Sequence, residues 1–480
     1  MKRSNNIRYL GIASVILLAC LLIFYRLSIE RVPDVQTSKE VVVLAHNAPG
    51  SYYVGGDGKY TGLEYDLATL FVKELGPEYR IKLVNVDNIA EIIPKLKAGK
   101  AHFAAANVTV TKDRAKLVTF GPAYLKTQQY VAYDTDHQAE PKGIESLFGK
   151  HIHVPAGSSY AENLKNLQRQ YPQLIWQEIK SGGEDELIEQ VTSGLLDYTI
   201  TDAHIVSLMQ NYYANLGKGF AISEPQEIAW VFPKHLDPWL YERVNRFFSR
   251  IQKDGTLKNL IDRYYGHVER LNTVDVTKFL EQIRSTLPKF TKLFKEAQEL
   301  TEIDWRLIAA ISYQESHWDQ YNTSPTNVRG MMMLTEQTAD ELGVTDRLDA
   351  KQSILGGARY INQLKKQIPE RIPEPDRTWM TLAAYNIGFS HLEDARVLAS
   401  QMKLNPDSWA DLKTTLPLLN KAEYYSKAKF GYANGGAPVI FVESIRTYLK
   451  ILEKYEPAYE PLLPSFSLAP SFKPNASKSK

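Results

Sequence analysis

The stretch Ile311-Ser312-Tyr313-Gln314-Glu315-Ser316-His317-Trp318 decides how the second half of this chain is read. It is followed by Arg329-Gly330-Met331-Met332-Met333 and, later, by Ala383-Ala384-Tyr385-Asn386. Ile303, Leu307 and Ile311 recur every four residues, the period of one helical face, and Glu315 is the next position on that face. A carboxyl directed at an apolar surface is disfavoured as an anion. Its pKa rises, and it can keep near neutral pH the proton that a general acid needs. A lone glutamate at a helix end is more often solvated, and the accompanying motifs are what turn the reading toward catalysis.

Working outward, strand signals disappear from about residue 274, and amphipathic helical patterns continue to about Glu453. Taken with the three motifs, residues 290–453 resemble the all-α, lysozyme-like catalytic domain of soluble-type lytic transglycosylases, which cut peptidoglycan glycan strands. The resemblance implies that Glu315 is the catalytic acid. It also implies that Ser316, Met332, Met333, Tyr385 and Asn386 line the substrate site. Ser316 would position the substrate's acetamido group or orient Glu315, Met332 and Met333 would form an apolar floor, and Tyr385 and Asn386 would bind sugar and orient Glu315. Each also has a purely structural reading: Ser316 bonding to its preceding turn, the methionines filling core, Asn386 capping a helix. Most relatives carry Gly-Leu-Met-Gln where this chain has Gly330-Met331-Met332-Met333, so the glutamine role is lost at Met333. Phe441-Val442 stands where the family has Tyr-Val, with Phe for Tyr.

Hydrolysis of a glycosidic bond normally needs two carboxyls. The motifs supply one. Asp319, one turn after Glu315, reads as a solvated helix terminus. One carboxyl suffices if it first protonates the leaving oxygen and then, as carboxylate, removes the proton of the C6 hydroxyl of the same sugar, with the 2-acetamido group stabilising the intermediate. The product would carry a 1,6-anhydromuramic end.

The first half differs in kind. From Val41-Val42-Val43-Leu44 to about residue 268, short apolar strands alternate with helical patterns, which predicts α/β layers around mainly parallel sheets. The resemblance here is to periplasmic solute-binding proteins that take amino acids. It is carried by Gly62-Leu63-Glu64-Tyr65-Asp66-Leu67, Thr109-Val110-Thr111-Lys112-Asp113-Arg114, Gly157-Ser158-Ser159 and Gly194-Leu195-Leu196-Asp197 with Asp202. It implies two hinged lobes, one of residues 40–130 with 228–268 and the other between them. It also implies a ligand carboxylate on Arg114, Thr111 and Ser159, and its amino group on Asp202. An arginine fork and helix N-terminal amides suit a carboxylate. The expected ligand is an amino acid or muropeptide, and the module is expected to be regulatory rather than catalytic. The order of the two halves resembles the F-type branch of the membrane-bound lytic transglycosylases. The fold expected for the whole is therefore multidomain, a two-lobed α/β solute-binding domain followed by an all-α lysozyme-like domain. A linker is expected over 269–289 and a disordered Pro- and Ser-rich tail over 456–480.

With 480 residues, two or three domains are expected. The net charge of +2 gives no reason to expect a nucleic-acid partner. Lys2, Arg3 and Arg8 precede an uncharged, mostly apolar run from Tyr9 to Tyr25, so residues 1–30 read as an export signal or membrane anchor. That places the chain in the cell envelope, by resemblance at the periplasmic face of the outer membrane. The single cysteine, Cys20, ends a Leu-Leu-Ala-Cys box like that of lipoproteins, but the residues after it stay apolar, which argues against lipidation. One cysteine forms no intrachain disulfide. His317 and His391 lack metal-ligand spacing, so no metal and no cofactor are assigned. Two other functions fit part of the pattern: a goose-type lysozyme that hydrolyses the bond, and a solute receptor whose helical domain only binds wall.

Overall fold

The structure is a computed structural model and describes residues 31–54, 59–180, 182–266, 273–324 and 327–460. The N-terminal stretch read as signal or anchor, with Cys20, lies outside the described residues. Among those described, no helix is long and apolar enough to cross a membrane.

Two five-stranded sheets form the first half. In lobe one the spatial order is Arg80–Val86, Glu40–His46, Phe103–Ala104, Gln226–Pro233, Val118–Thr127. In lobe two it is Leu216–Ala221, Gln129–Asp134, Tyr198–Asp202, Ile152–Pro155, Gln177–Ile179. The sheets are mixed rather than mainly parallel. In lobe one, Gln226–Pro233 runs antiparallel to both its neighbours. In lobe two, Gln129–Asp134 runs antiparallel to both of its own. The reason is topological. The chain passes between lobes by direct strand connections, at Gln128 and again over 222–225, and antiparallel neighbours need no helical crossover whereas parallel ones do.

Glu64 braces lobe one. It is 2% exposed and accepts from Asn107 N (2.7 Å), Trp230 Nε1 (2.8 Å) and the Tyr124 hydroxyl. A buried carboxyl is tolerable only when hydrogen-bonded in this way, and burial still pushes its pKa up.

The second half is helical around one apolar core. The segment expected to be a linker contributes to that core. Helix Thr273–Ser285 buries Val276, Phe279 and Ile283, spaced by three and four residues as an inward face requires. Phe279 lies against Tyr313 (4.4 Å between ring centroids), Tyr448 (4.5 Å) and Trp318 (5.6 Å). The tail is likewise tied down as far as Tyr459. Trp305 Nε1 donates to Pro457 O (3.3 Å), Arg306 Nη1 to Glu456 O (3.3 Å) and Gln298 Nε2 to Tyr459 O (2.8 Å). Composition predicted disorder there; backbone carbonyls meeting buried donors override it as far as that residue.

The halves are joined by charge. Asp262, on helix Thr256–Tyr265 of lobe one, pairs with Arg446 (3.1 Å) and Lys413 of the helical domain, and Lys258 pairs with Asp411. Arg446 is 3% exposed, and its Nη2 also donates to Asp262 O (2.7 Å). Lobe two is held separately, by the Lys454 ammonium over the rings of Tyr212 (4.4 Å) and Tyr213 (4.9 Å).

Candidate active site

Helix Trp305–Ser316 starts at Asp304, whose carboxylate accepts from Arg306 N (2.8 Å), so Ile303 lies just before the helix rather than on its face. Ile311 is fully buried, as the period required. The helix stops one residue after Glu315. His317 and Trp318 both take left-handed backbone (φ 54° and 59°), which folds Trp318 back so that its Nε1 donates to Ala309 O (2.8 Å). This stop puts Glu315 in the last helical turn. The negative end of the helix dipole lies there and disfavours a carboxylate.

Glu315 is partly exposed, and burial pushes its carboxyl up to about 8, with no neighbouring charge contributing. A carboxyl at that value is mostly protonated at pH 7 and still able to lose its proton. Asp319 is exposed and accepts from Tyr321 N (3.0 Å), the helix-terminus role.

The loop carrying Gly330 to Met333 is clamped beside this helix by its backbone. Arg329 and Leu334 pair with each other (3.2 and 3.1 Å), and Gly330 N donates to Asn322 O (3.0 Å). Ser312 Oγ donates to Met331 O (3.0 Å). Ser316 Oγ lies 3.0 Å from the same carbonyl and 3.1 Å from Ser312 O. Met332 N donates to Ser353 Oγ (3.1 Å), and the Tyr385 hydroxyl donates to Met332 O (2.7 Å). Three helices therefore converge on one short loop: Trp305–Ser316, Ala350–Gln367 and Asp376–Ile387. Ser312 and Ser353 are both fully buried. Sequence reading missed them because a helical serine carries no signal of what it faces.

The expected site residues differ in exposure. Ser316 is 2% exposed with its hydroxyl committed to the loop, closer to its structural reading. Met332 is fully buried against Gly357, where a Cβ would come within 2.7 Å of Met332 Cβ, so it fills core. Met333 is partly exposed, in left-handed backbone (φ 44°). Asn386 is exposed in the last turn of its helix. Tyr385 stacks on Phe441 (6.2 Å, 10°), and its hydroxyl is pushed well above the usual phenol range by burial and then by Glu315, which places the two as electrostatic neighbours. The ring of Phe441, where the family has Tyr, thus backs the Tyr385 ring. Among the described residues no cluster of His, Cys, Asp and Glu is arranged to hold a metal.

In the first half, Arg114, Thr111 and Ser159 converge at the lobe boundary, and Asp202 ends the central strand of lobe two. Ser159 Oγ donates to Thr109 Oγ1 (3.1 Å) and accepts from Gln129 Nε2 (3.2 Å). Arg114 and Thr111 meet a residue not foreseen, Glu162.

Comparison with known proteins agrees with this division. Residues 40–267 match the bacterial extracellular solute-binding proteins, family 3, and residues 292–406 match the transglycosylase SLT domain. The membrane-bound lytic murein transglycosylase F of Methylobacillus flagellatus is 55% identical over 95% of this chain and 96% of its own length. The chain belongs to the membrane-bound lytic murein transglycosylase F family. A second such relative, from Nitrosospira multiformis, is 48% identical over 88% of this chain and 87% of its own length. Among solved structures, an ancestral arginine-binding protein bound to arginine matches 47% of this chain and 98% of its own, with 23% identity and a TM-score of 0.43. Family membership covers both halves, so the α/β module and the helical domain belong to one architecture.

Proposed function

We propose that this chain is a peptidoglycan lytic transglycosylase in which Glu315 is the single acid and base. It would cleave the β-1,4 bond between N-acetylmuramic acid and N-acetylglucosamine without water. The observation that carries the reading is the placing of Glu315 in the last turn of its helix, beside the Met331–Met332 loop held by Ser312 and Tyr385, where burial pushes its carboxyl up to about 8. Protonated, it donates to the glycosidic oxygen as the C1–O bond breaks, and the 2-acetamido oxygen supports the cationic C1. As carboxylate it then takes the C6 hydroxyl proton while O6 closes on C1, which returns the proton to Glu315 and gives the 1,6-anhydro end. Ser312, Ser316, Ser353 and Tyr385 act indirectly, by fixing the loop that walls the site.

Mass spectrometry of muropeptides released from purified sacculi tests this. Anhydro ends are expected, and reducing ends in their place would mean hydrolysis instead. In the same assay the rate should fall as pH rises through about 8, where Glu315 loses the proton it donates. A rate still climbing to pH 10 would remove Glu315 as the acid.

We also assign the chain to the periplasmic face of the outer membrane, held through its N-terminus. Fractionation should recover it with envelope membranes, and full-length protein in the cytosol would refute this. The α/β module is proposed to bind an amino acid or stem peptide and to alter cleavage as it closes. The helical domain is gripped by lobe one at Asp262 and by lobe two at Tyr212 and Tyr213, so relative lobe motion must strain or move it. Calorimetric titration with wall-derived peptides, repeated with muropeptide release as readout, tests binding and coupling separately.

A further inference from the structure

The carboxylate half of the solute cleft is already filled by the chain itself. Arg114 Nε donates to Glu162 Oε1 (2.7 Å) and Thr111 Oγ1 to Glu162 Oε2 (2.8 Å). Arg114 belongs to lobe one, and Glu162 to the first turn of helix Ser159–Gln170 in lobe two, so this pair crosses the cleft. The rest of the guanidinium is spoken for as well. Nη1 donates to Thr109 O (3.3 Å) and Nη2 to Gly157 O (2.9 Å), and Arg114 is 4% exposed. One carboxylate with both oxygens bound by an arginine and a hydroxyl is the geometry expected for a bound amino acid's carboxylate, and here it is a side chain.

On the amino side the partners are incomplete. Asp202 is 1% exposed, and among the described residues its Oδ1 has no hydrogen-bond partner. Burial, then the charge of Glu184, push the Asp202 carboxyl up to about 8. Glu184 is itself held by the Tyr160 hydroxyl (2.6 Å), and burial raises its pKa too. Arg114 is the one cation among the groups acting on Asp202, and it is committed to Glu162. His46 acts on Glu184 but bonds through Nδ1 to Val86 O (3.0 Å). His204, next to Asp202 in the chain, is pushed down to about 4 by burial and is neutral. Glu162 and Asp202 share the Arg114 guanidinium, and the cation acting on Glu184 is His46. A buried carboxylate oxygen of this kind is matched best by an ammonium donor.

We propose that the cleft takes the ammonium group of a ligand whose neighbouring carboxyl is blocked, as in an amide or the amino end of a peptide, and that Glu162 excludes free α-amino acids by occupying Arg114 and Thr111. This rests on the solute-binding reading of the module. A free amino acid must displace Glu162 or leave its carboxylate beside it, whereas an amide carries no second anion.

Isothermal titration of the full chain with the L-amino acids and their C-terminal amides is the test. Wild type is expected to bind its best amide at least ~10-fold more tightly than the matching free acid, the scale of one charge-assisted hydrogen bond. Glu162→Ala should raise affinity for the free acid by about 10-fold or more, and Asp202→Asn should weaken the amide by a similar factor. Thermal denaturation checks that both variants fold, and the wild-type comparison stands without them. Equal or tighter binding of free acids by wild type, or an unchanged preference in a folded Glu162→Ala, overturns the assignment of Glu162 while leaving a solute-binding module. Absence of binding by both series to wild type and to Glu162→Ala overturns the proposal together with the solute-binding reading.

Discussion

Glu315→Gln is expected to reduce release of anhydromuropeptides by ~10² to 10⁴, the usual worth of a positioned acid–base group, or more, because here one carboxyl serves both half-reactions. The substitution keeps shape and removes the transferable proton. It should not unfold the domain, and its effect on stability has a definite sign. A folded carboxyl raised to about 8 holds its proton where the unfolded one, at the ordinary glutamate value, has lost it. Between those two values wild-type stability therefore falls with rising pH, and above about 8 the full cost of the buried anion is present. Glutamine has no such cost. The variant should accordingly melt at a higher temperature than wild type at pH 8 to 9, with the difference shrinking toward pH 5. Cleavage at a wild-type rate would reject the catalytic assignment. A variant that loses activity because it melts lower at every pH would show that Glu315 acts in folding instead.

Gly330→Ala should be the most damaging small substitution near the site. Gly330 has φ 83°, and a Cβ placed there would sit 1.8 Å from the Arg347 carbonyl oxygen and 3.0 Å from Ser353 Oγ. Left-handed backbone costs a non-glycine residue ~1 to 2 kcal/mol. Displacing a backbone carbonyl from a packed site adds roughly 1 to 3 kcal/mol. For a domain of this size the sum corresponds to a drop in Tm on the order of 10 °C. Activity should fall with it, because the same loop presents Met331 O and Met332 O to Ser316 and Tyr385. Gly343→Ala supplies the comparison. Gly343 also has positive φ (68°), but nothing lies within 4 Å of its would-be Cβ, so backbone strain alone should cost ~1 to 2 kcal/mol. Equal melting temperatures for the two variants would mean that the Arg347 contact does not constrain the loop.

What the sequence determined by itself was whatever depends on near neighbours in the chain. The alternation of strands and helices gave the α/β half, the loss of strand signals gave the helical half, and the helical period aimed Glu315 at an apolar face. Motif spacing and resemblance then brought together the Glu315 helix, the Gly330 loop and Tyr385. The same local reasoning went astray where distant partners decide. Residues 269–289 read as a linker between two domains, yet Phe279 meets aromatic rings supplied by two other helices. The direction of the hinge-side strands followed from where the chain crosses between lobes, which periodicity does not encode. Ser316, expected beside the substrate, reaches the preceding turn at Ser312 O, as one reading of the sequence allowed, and also Met331 O, a partner on another segment that the sequence does not reveal. Glu162 gave no signal at all, since a glutamate in the first turn of a helix looks like an ordinary complement to the helix dipole. Only the folded chain, by bringing two lobes within hydrogen-bonding distance, shows that its carboxylate takes the arginine expected for a ligand. Periodicity and short motifs are written along the chain, whereas burial, charge pairing and the identity of a partner are properties of space, fixed only when segments far apart in sequence pack together.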